Sequence, residues 1–517
     1  MILINLQIYF LYFIGLFSFN SLLLFSNGYP ITHNFEKDQL IFVQTLWRHG
    51  DRSPIYIYPN DPNKESAWPN GFGELTTRGM IQQFNLGKFL GKRYIDELQF
   101  LSPHYRSEEI FVISTDTNRT IQSATANMMG MYGGRGRCGI DYPNLVEWPA
   151  PFVPIPIHSF EFMKDPMGYA RHHCKRTLDL FALLEQTPEY KQLKRSSAAL
   201  LSKISEYAGS PITLNNLWGF IETVNIERTH GLRSPDWVLQ ILPKALEVDM
   251  RLTDLQIGLR MASFKNINFQ IEIPRMIGGS FLWEIIERME KKANKIDPYS
   301  DTKLEGKECE WLERLKYYAH SAHDMSISAL FSTLQFDYTD FDRDGLPGYA
   351  SCVLIELWRN VERGYYIKVL YRRDNVDNLI NLTPYIRGCN GQECSLELFK
   401  QRSLIFKPLP NQETLCACPI GSPARGCDPM PFVLWHDLIV NGCPNVTVNT
   451  RDPAQKVHRW FRRVNRFTNT DQCEPYIFPY CSELDFNLWR SPRTKQECEL
   501  YCYSSEEQRK RGGSNVV

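Results

Sequence analysis

The sequence predicts an α/β fold. A mixed central sheet is flanked by helices, a helical insertion roofs one end of the sheet, and a small disulfide-rich module follows at the C-terminus. Three observations carry this. An order of apolar β-rich run, polar loop and helical pattern recurs three times. A hairpin signature makes the sheet mixed. Nine of the fourteen cysteines lie from Cys394 onward, which sets the C-terminal part apart.

In chain order, residues 39–48 (QLIFVQTLWR) read as a first buried strand, followed by LTTRGMIQQFNLGKFLGKRYIDEL with apolar residues at helical spacing. The second strand is EEIFVIST (108–115), with NRTIQSATANMMGMY after it. The third unit is RLKYYAHSAHDMSISALFSTL (314–334). Loops at the carboxyl ends of strands form the ligand crevice of α/β sheets. Arg48–Arg52, Asp116–Arg119 and His323–Asp324 are therefore expected to converge, although they lie far apart in sequence. SCVLIELWR (351–359) and GYYIKVLYR (364–372), joined by NVER, form the hairpin. Residues from about 160 to 265 are helical in pattern and form the insertion. Pro, Gly and Cys accumulate over 408–429 and mark a boundary. The domains expected are 39–416, a cysteine-rich module over 417–502 and a disordered tail over 503–517.

Lys+Arg and Asp+Glu number 58 each in 517 residues, so global charge supplies no argument for nucleic acid or a membrane surface, and an anion site must be local. Residues 1–28 open with an apolar run that carries no charged side chain and read as a signal peptide in preference to an anchor. An even number of cysteines fits a secreted or lysosomal protein. Of three N-x-[ST] sequons, Asn381 and Asn445 are the glycan candidates; Asn118 lies in the stretch expected to line the site.

LWRHGDRSP (46–54) ends the first strand in a cluster of charge. Arginine offers a permanent cation with a planar fork suited to phosphate. A histidine between two arginines sits in a positive field that favours neutral imidazole, the nucleophilic form. Together they suggest phosphoryl transfer through a covalent histidine intermediate, with cations stabilising the transferring group and no metal or other cofactor required. The plainer reading, a charged surface turn, leaves the whole pattern unexplained.

RHGDRSP matches the R-H-G-x-R-x-P signature of the histidine acid phosphatases. STDTNRTIQSA (114–124), PIPIH (154–158), YAHSAHDMSISAL (318–330), GYASCVLIELW (348–358) and GCNGQECSLELF (388–399) resemble further segments of that family, in the family's order. The chain thus resembles the prostatic and lysosomal acid phosphatase branch over about residues 39–416. The resemblance implies His49 as the nucleophile and Arg48, Arg52, Arg119 and His323 as phosphate ligands. It implies Asp324 as the acid that protonates the leaving alcohol, and an alkoxide needs such an acid. It implies small phosphate monoesters as substrates, and a homodimer. Met325 and Asn118 depart from the common pattern, at positions that bear on substrate preference. An inositol phosphate phosphatase on the same scaffold is the second reading, and charge in the 160–265 insertion is what would discriminate.

The resemblance also implies bridges Cys389–Cys394 and Cys174–Cys416. It leaves Cys352 without its usual partner, so Cys352 is either free or paired with Cys138 or Cys309. CEPYIFPYC and TKQECELYC resemble the second half of a Kunitz-type domain, with Cys473–Cys498 as its expected bridge. The first half fits poorly; Cys427 with Cys443, and Cys418 with Cys427, stay open as its pairs. A protease or another protein is the partner class expected for this module, and a secreted binding or inhibitor protein is the alternative from outside enzymology. RHHCK (171–175) lacks the further ligands of a zinc site. GGRGRCG (133–139) reads as a turn, LWHDLI (434–439) as an amphipathic segment, and His104, His230 and His458 as single surface-type histidines.

Overall fold

β1 (Gln39–Arg48) has the composition of a strand in the middle of a sheet: every residue after Gln39 is buried. Its side chains divide between two cores. Phe42 and Leu46 enter one layer, Val43 and Trp47 the other. The two polar residues between them are satisfied, Gln44 Nε2 donating to Ile285 O at 2.9 Å and Thr45 Oγ1 to Tyr317 Oη at 3.1 Å.

This computed structural model describes residues 38–417 apart from 150, 161–164, 166–173, 266, 297–306, 390 and 410–411, and then 435–436, 439, 455–465, 470–481 and 492–502. The expected signal peptide, the 503–517 tail, Asn445, Cys418, Cys427, Cys443 and most of RHHCK lie outside the described residues. No helix among the described residues is long and apolar enough to cross a membrane.

The remaining strands of the main sheet are β2 (Ile110–Ser114), β3 (His158–Ser159), β4 (Tyr317–Ala322), β5 (Cys352–Asn360), β6 (Gly364–Arg372), β7 (Leu379–Asn381) and β8 (Cys394–Ser395). Their order is β3-β2-β4-β1-β5-β6-β7, with β8 pairing to β6. β3, β2, β4 and β1 run parallel, and β5 to β8 add antiparallel pairs. The sheet is mixed, as the hairpin signature predicts.

α1 (Thr77–Gly91) and α2 (Asn118–Tyr132) cover one face with Leu86, Leu90, Ala124 and Met128. Thr76 caps α1, its Oγ1 accepting from Gly79 N. Four helices build the insertion and enclose their own core: α3 (Lys175–Leu184), α4 (Pro188–Ala208), α5 (Leu217–Thr229) and α6 (Asp236–Gln256). α4 starts on Thr187 with Pro188 in its first turn and stops at Gly209, at φ 75°. The other sheet face packs against α8 (Ser280–Ile296), which follows α7 (Phe269–Pro274), and against α10 (Asp324–Leu334), which follows α9 (Lys307–Arg314). α11 (Leu396–Ser403) and α12 (Gln412–Ala417) complete this part of the chain. Cys174–Cys416 ties the start of α3 to α12 across 242 residues, and Cys389–Cys394 closes a local loop before α11. Cys352 is free and buried and Cys138 is free and exposed, so these two do not pair.

In the C-terminal part, β9 (Gln455–Asn465) and β10 (Thr470–Tyr480) form an antiparallel ribbon, followed by α13 (Lys495–Cys502). Cys473–Cys498 joins β10 to α13, and Phe478 is fully buried. Such a small core depends on this kind of staple.

Candidate active site

Parallel pairing brings three strand ends level. Arg48 at the end of β1 pairs with Ala322 on β4, and Ser114 at the end of β2 pairs with Ser321 on the same strand. The loops that follow carry His49 to Arg52, Thr115 to Arg119, and His323 to Asp324. The six residues expected to act together are therefore placed by adjacent strands.

The loop after β1 is fixed on all sides. His49 N donates to Ala322 O at 2.9 Å, and Gln83 Nε2 donates to Arg48 O at 2.7 Å. Gly50 and Gly79 let the loop lie against the first turn of α1. A Cβ on Gly50 would meet Gly79 O at 2.3 Å, and a Cβ on Gly79 would meet Asp51 O at 2.1 Å.

His49 is 2% exposed, and its Nδ1 lies 2.8 Å from Gly50 O. A carbonyl only accepts, so Nδ1 carries the proton and Nε2 keeps its lone pair. Burial, then Arg48, His323, Arg52 and Arg119, hold the His49 imidazole well below the usual histidine range. The ring is thus neutral in mild acid. The His323 ring stands edge-on to it, with centroids 5.4 Å apart. His323 Nε2 lies 3.1 Å from Thr115 Oγ1, and burial and Arg119 push its pKa down to about 3.

Each arginine has a different setting. Arg48 donates to Pro347 O at 2.7 Å, meets Asp324 Oδ2 at 2.9 Å and lies 4.1 Å over the Tyr349 ring. Arg52 donates to Ser53 O at 3.0 Å and is bonded to Glu222 on α5. Arg119 forms no ion pair among the described residues, and its buried Nε has no partner. The Nε atoms of Arg48 and Arg52 are also buried without partners. Three guanidinium groups with unmet donors surround a neutral histidine, an arrangement that can take up a tetrahedral oxyanion. For Asp324, burial raises the pKa, but Arg48 and His323 together hold it below the usual carboxylate range. No group of three or more His, Cys, Asp or Glu among the described residues could hold a metal ion.

Several contacts were not anticipated. His230, read from sequence as a surface-type histidine, donates from Nε2 to Asp51 Oδ2 at 2.7 Å. Asp51 is fully buried and also accepts from Thr76 Oγ1 at 2.5 Å. The helical pattern of the insertion gave no sign of which residue would reach the loop. Glu222 was missed for the same reason; Tyr349 was missed although it lies inside the quoted segment GYASCVLIELW. His104 is likewise tied, its Nδ1 lying 2.5 Å from Arg135 O. Asn381 Nδ2, the atom a glycan would occupy, donates to Gln392 O at 3.0 Å and to its Oε1 at 2.9 Å.

The family model for the histidine phosphatase superfamily (branch 2) matches residues 39–372. A BPTI-like domain model matches residues 429–503. A putative acid phosphatase of Caenorhabditis elegans is 32% identical over 403 residues, covering 74% of this chain and 89% of its own. Human lysosomal acid phosphatase is 32% identical over 337 residues, covering 65% and 71%. Over 98 residues, 19% of the chain, identity to protein lon-8 of Caenorhabditis elegans reaches 93%, and the chain spans 60% of that protein's length. Among solved structures, Hafnia alvei phytase superposes with a TM-score of 0.50 at 16% identity, over 74% of this chain and 99% of the phytase, a likeness of fold. On the family model and on relatives at about a third identity, the chain belongs to branch 2 of the histidine phosphatase superfamily and is a phosphatase.

Proposed function

We propose that the chain hydrolyses small phosphate monoesters in an acidic secretory or lysosomal compartment, through a phosphohistidine on His49. The observation that carries this is the state of His49. Its Nδ1 is committed to Gly50 O, leaving Nε2 free among Arg48, Arg52 and Arg119. Nε2 attacks phosphorus, the ester P–O bond breaks, and Asp324 gives its proton to the departing alcohol oxygen. Water then attacks the phosphohistidine, the P–N bond breaks, and the Asp324 carboxylate takes the water proton. The arginines and His323 hold the equatorial oxygens while charge redistributes.

Arg48 and His323 hold Asp324 toward its ionised form, so its proton arrives with or after substrate. An incoming phosphate dianion competes for Arg48 and adds negative charge beside the carboxylate. Both effects raise the Asp324 pKa, and acidic medium supplies the proton. The curated relatives named lysosomal and putative acid phosphatases support this over an inositol phosphate phosphatase.

His49→Ala should abolish hydrolysis of p-nitrophenyl phosphate at pH 5. In the wild type, rapid quench into base should trap an acid-labile phosphorus–nitrogen adduct on His49. Wild-type-like turnover by the variant would sink the assignment. For the C-terminal module a protease is the partner class proposed, and trypsin inhibition by the full chain tests it.

A further inference from the structure

Glu222 occupies one arm of the phosphate clamp. It projects from α5 in the helical insertion onto Arg52, whose side chain is 5% exposed, and is itself 19% exposed. With Arg48 paired to Asp324, the three arginines of the clamp face two carboxylates. The two histidines within the field of the clamp, His49 and His323, are held toward their neutral forms. Of the three clamp arginines, only Arg119 has no ion pair among the described residues, and Glu74 and Glu222 both lie within its field. Asp249 on α6 also feels the charge of Glu222. A site for polyanions needs surplus cations, and here the surplus is cut to Arg119.

The same helix face also carries an aromatic. Trp218 lies one turn before Glu222, on the same side of α5, and is 44% exposed. The Tyr56 ring stands edge-on to it with centroids 6.3 Å apart, over Gly219, where a Cβ would meet Tyr56 Oη at 1.8 Å. The Tyr56 phenol lies in the field of Glu222. A carboxylate beside two aromatic rings, one of them open to solvent, is a setting that receives an ammonium group.

We propose that Glu222 is a specificity-determining residue: by neutralising the Arg52 arm beside Trp218 and Tyr56, it selects single-phosphate monoesters whose alcohol carries an ammonium group and disfavours inositol polyphosphates. The proposal rests on the phosphatase reading above and names the substrate class of that same site. Nothing in the motif segments encodes it, because Glu222 belongs to the insertion.

The test compares kcat/KM of the full-length enzyme for phosphoethanolamine, ethyl phosphate and phytate, in the wild type, Glu222→Gln and Glu222→Asp. The wild type should prefer phosphoethanolamine to ethyl phosphate by about tenfold, equivalent to about 1.4 kcal/mol. Glu222→Gln should erase that preference and raise the rate on phytate relative to ethyl phosphate by about tenfold. Glu222→Asp should keep the preference for the ammonium substrate. These ratios do not depend on how much of a variant folds, since all substrates meet the same active fraction. Equal wild-type rates on the two ethyl esters, or a preference unchanged in Glu222→Gln, overturns the proposal alone. Failure of the wild type to hydrolyse p-nitrophenyl phosphate overturns the phosphatase reading and the proposal with it.

Discussion

Replacing Asp324 by Asn tests the division of labour in the site. The side chain is 17% exposed and lies 2.9 Å from Arg48, itself 10% exposed, so the amide fits the same space. Two effects follow, in opposite directions. The amide cannot transfer a proton to a leaving alkoxide, and loss of a general acid costs about 10²–10⁴-fold, or roughly 2.7–5.5 kcal/mol of barrier. Arg48 is also released from its counter-ion, which strengthens its hold on the substrate phosphate. For an alkyl phosphate, kcat/KM should therefore fall by about two to four decades. For p-nitrophenyl phosphate, whose leaving group departs as a stable anion, the loss should be under about tenfold, with a lower KM. The assay is kcat/KM across phosphate monoesters of graded leaving-group pKa, since kcat/KM reports the first chemical step. A loss of the same size for every ester would refute the assignment of Asp324 as proton donor.

Three further expectations follow from named contacts. Because burial and the arginines depress the His49 pKa, the acid limb of kcat/KM should fall well below pH 6.5 in the wild type and move upward in Arg119→Gln; a wild-type limb at about 6.5 would contradict the site electrostatics. Glu227 on α5 is fully buried against buried Asp61, and burial and then Asp61 raise its pKa, so the folded state keeps a proton that the unfolded state releases. Stability should fall as pH rises above about 4.5, and Glu227→Gln should raise Tm at pH 7 but not at pH 4; equal effects at both values would reject a protonated Glu227 in the folded state. Gly79→Ala places a methyl group 2.1 Å from Asp51 O, and should cost about 1–3 kcal/mol in chemical denaturation with a matching loss of activity.

How far the sequence was legible depended on the range of the interaction that decides each feature. β1, β2 and β4 follow from local periodicity and β-rich composition, and the observed strands fall inside the predicted stretches. That the loops after them meet follows from a rule about strand ends, with no knowledge of register. The hairpin of β5 and β6 was legible because both strands and their turn are contiguous. Glu222, His230 and Tyr349 were not legible. Each acts through a contact across a wide sequence separation, 170 residues for Arg52 to Glu222 and 179 for Asp51 to His230, and neither partner carries a local mark of it. An amphipathic pattern says that a helix has a polar face. It does not say which polar residue meets a charge on another element. His230 illustrates this: a single histidine after a helix looks solvated until Asp51 is placed beside it.

The placement of those unanticipated residues explains why a helical insertion belongs in this fold. Sheet and α1 hold the backbone of the 49–53 loop, through Ala322 O and the close approach of Gly50 and Gly79. They leave its side chains facing the open end of the sheet, where an unpaired buried Asp51 carboxylate would be costly. α5 supplies the missing partners. Glu222 meets Arg52, His230 at its end meets Asp51, and Glu227 faces Asp61 further along the same segment. One helix thus engages the 49–53 loop and the nearby Asp61 through two carboxylates and a histidine. Substitution in α5 is therefore expected to alter substrate binding, although none of its residues lies within the signature segment.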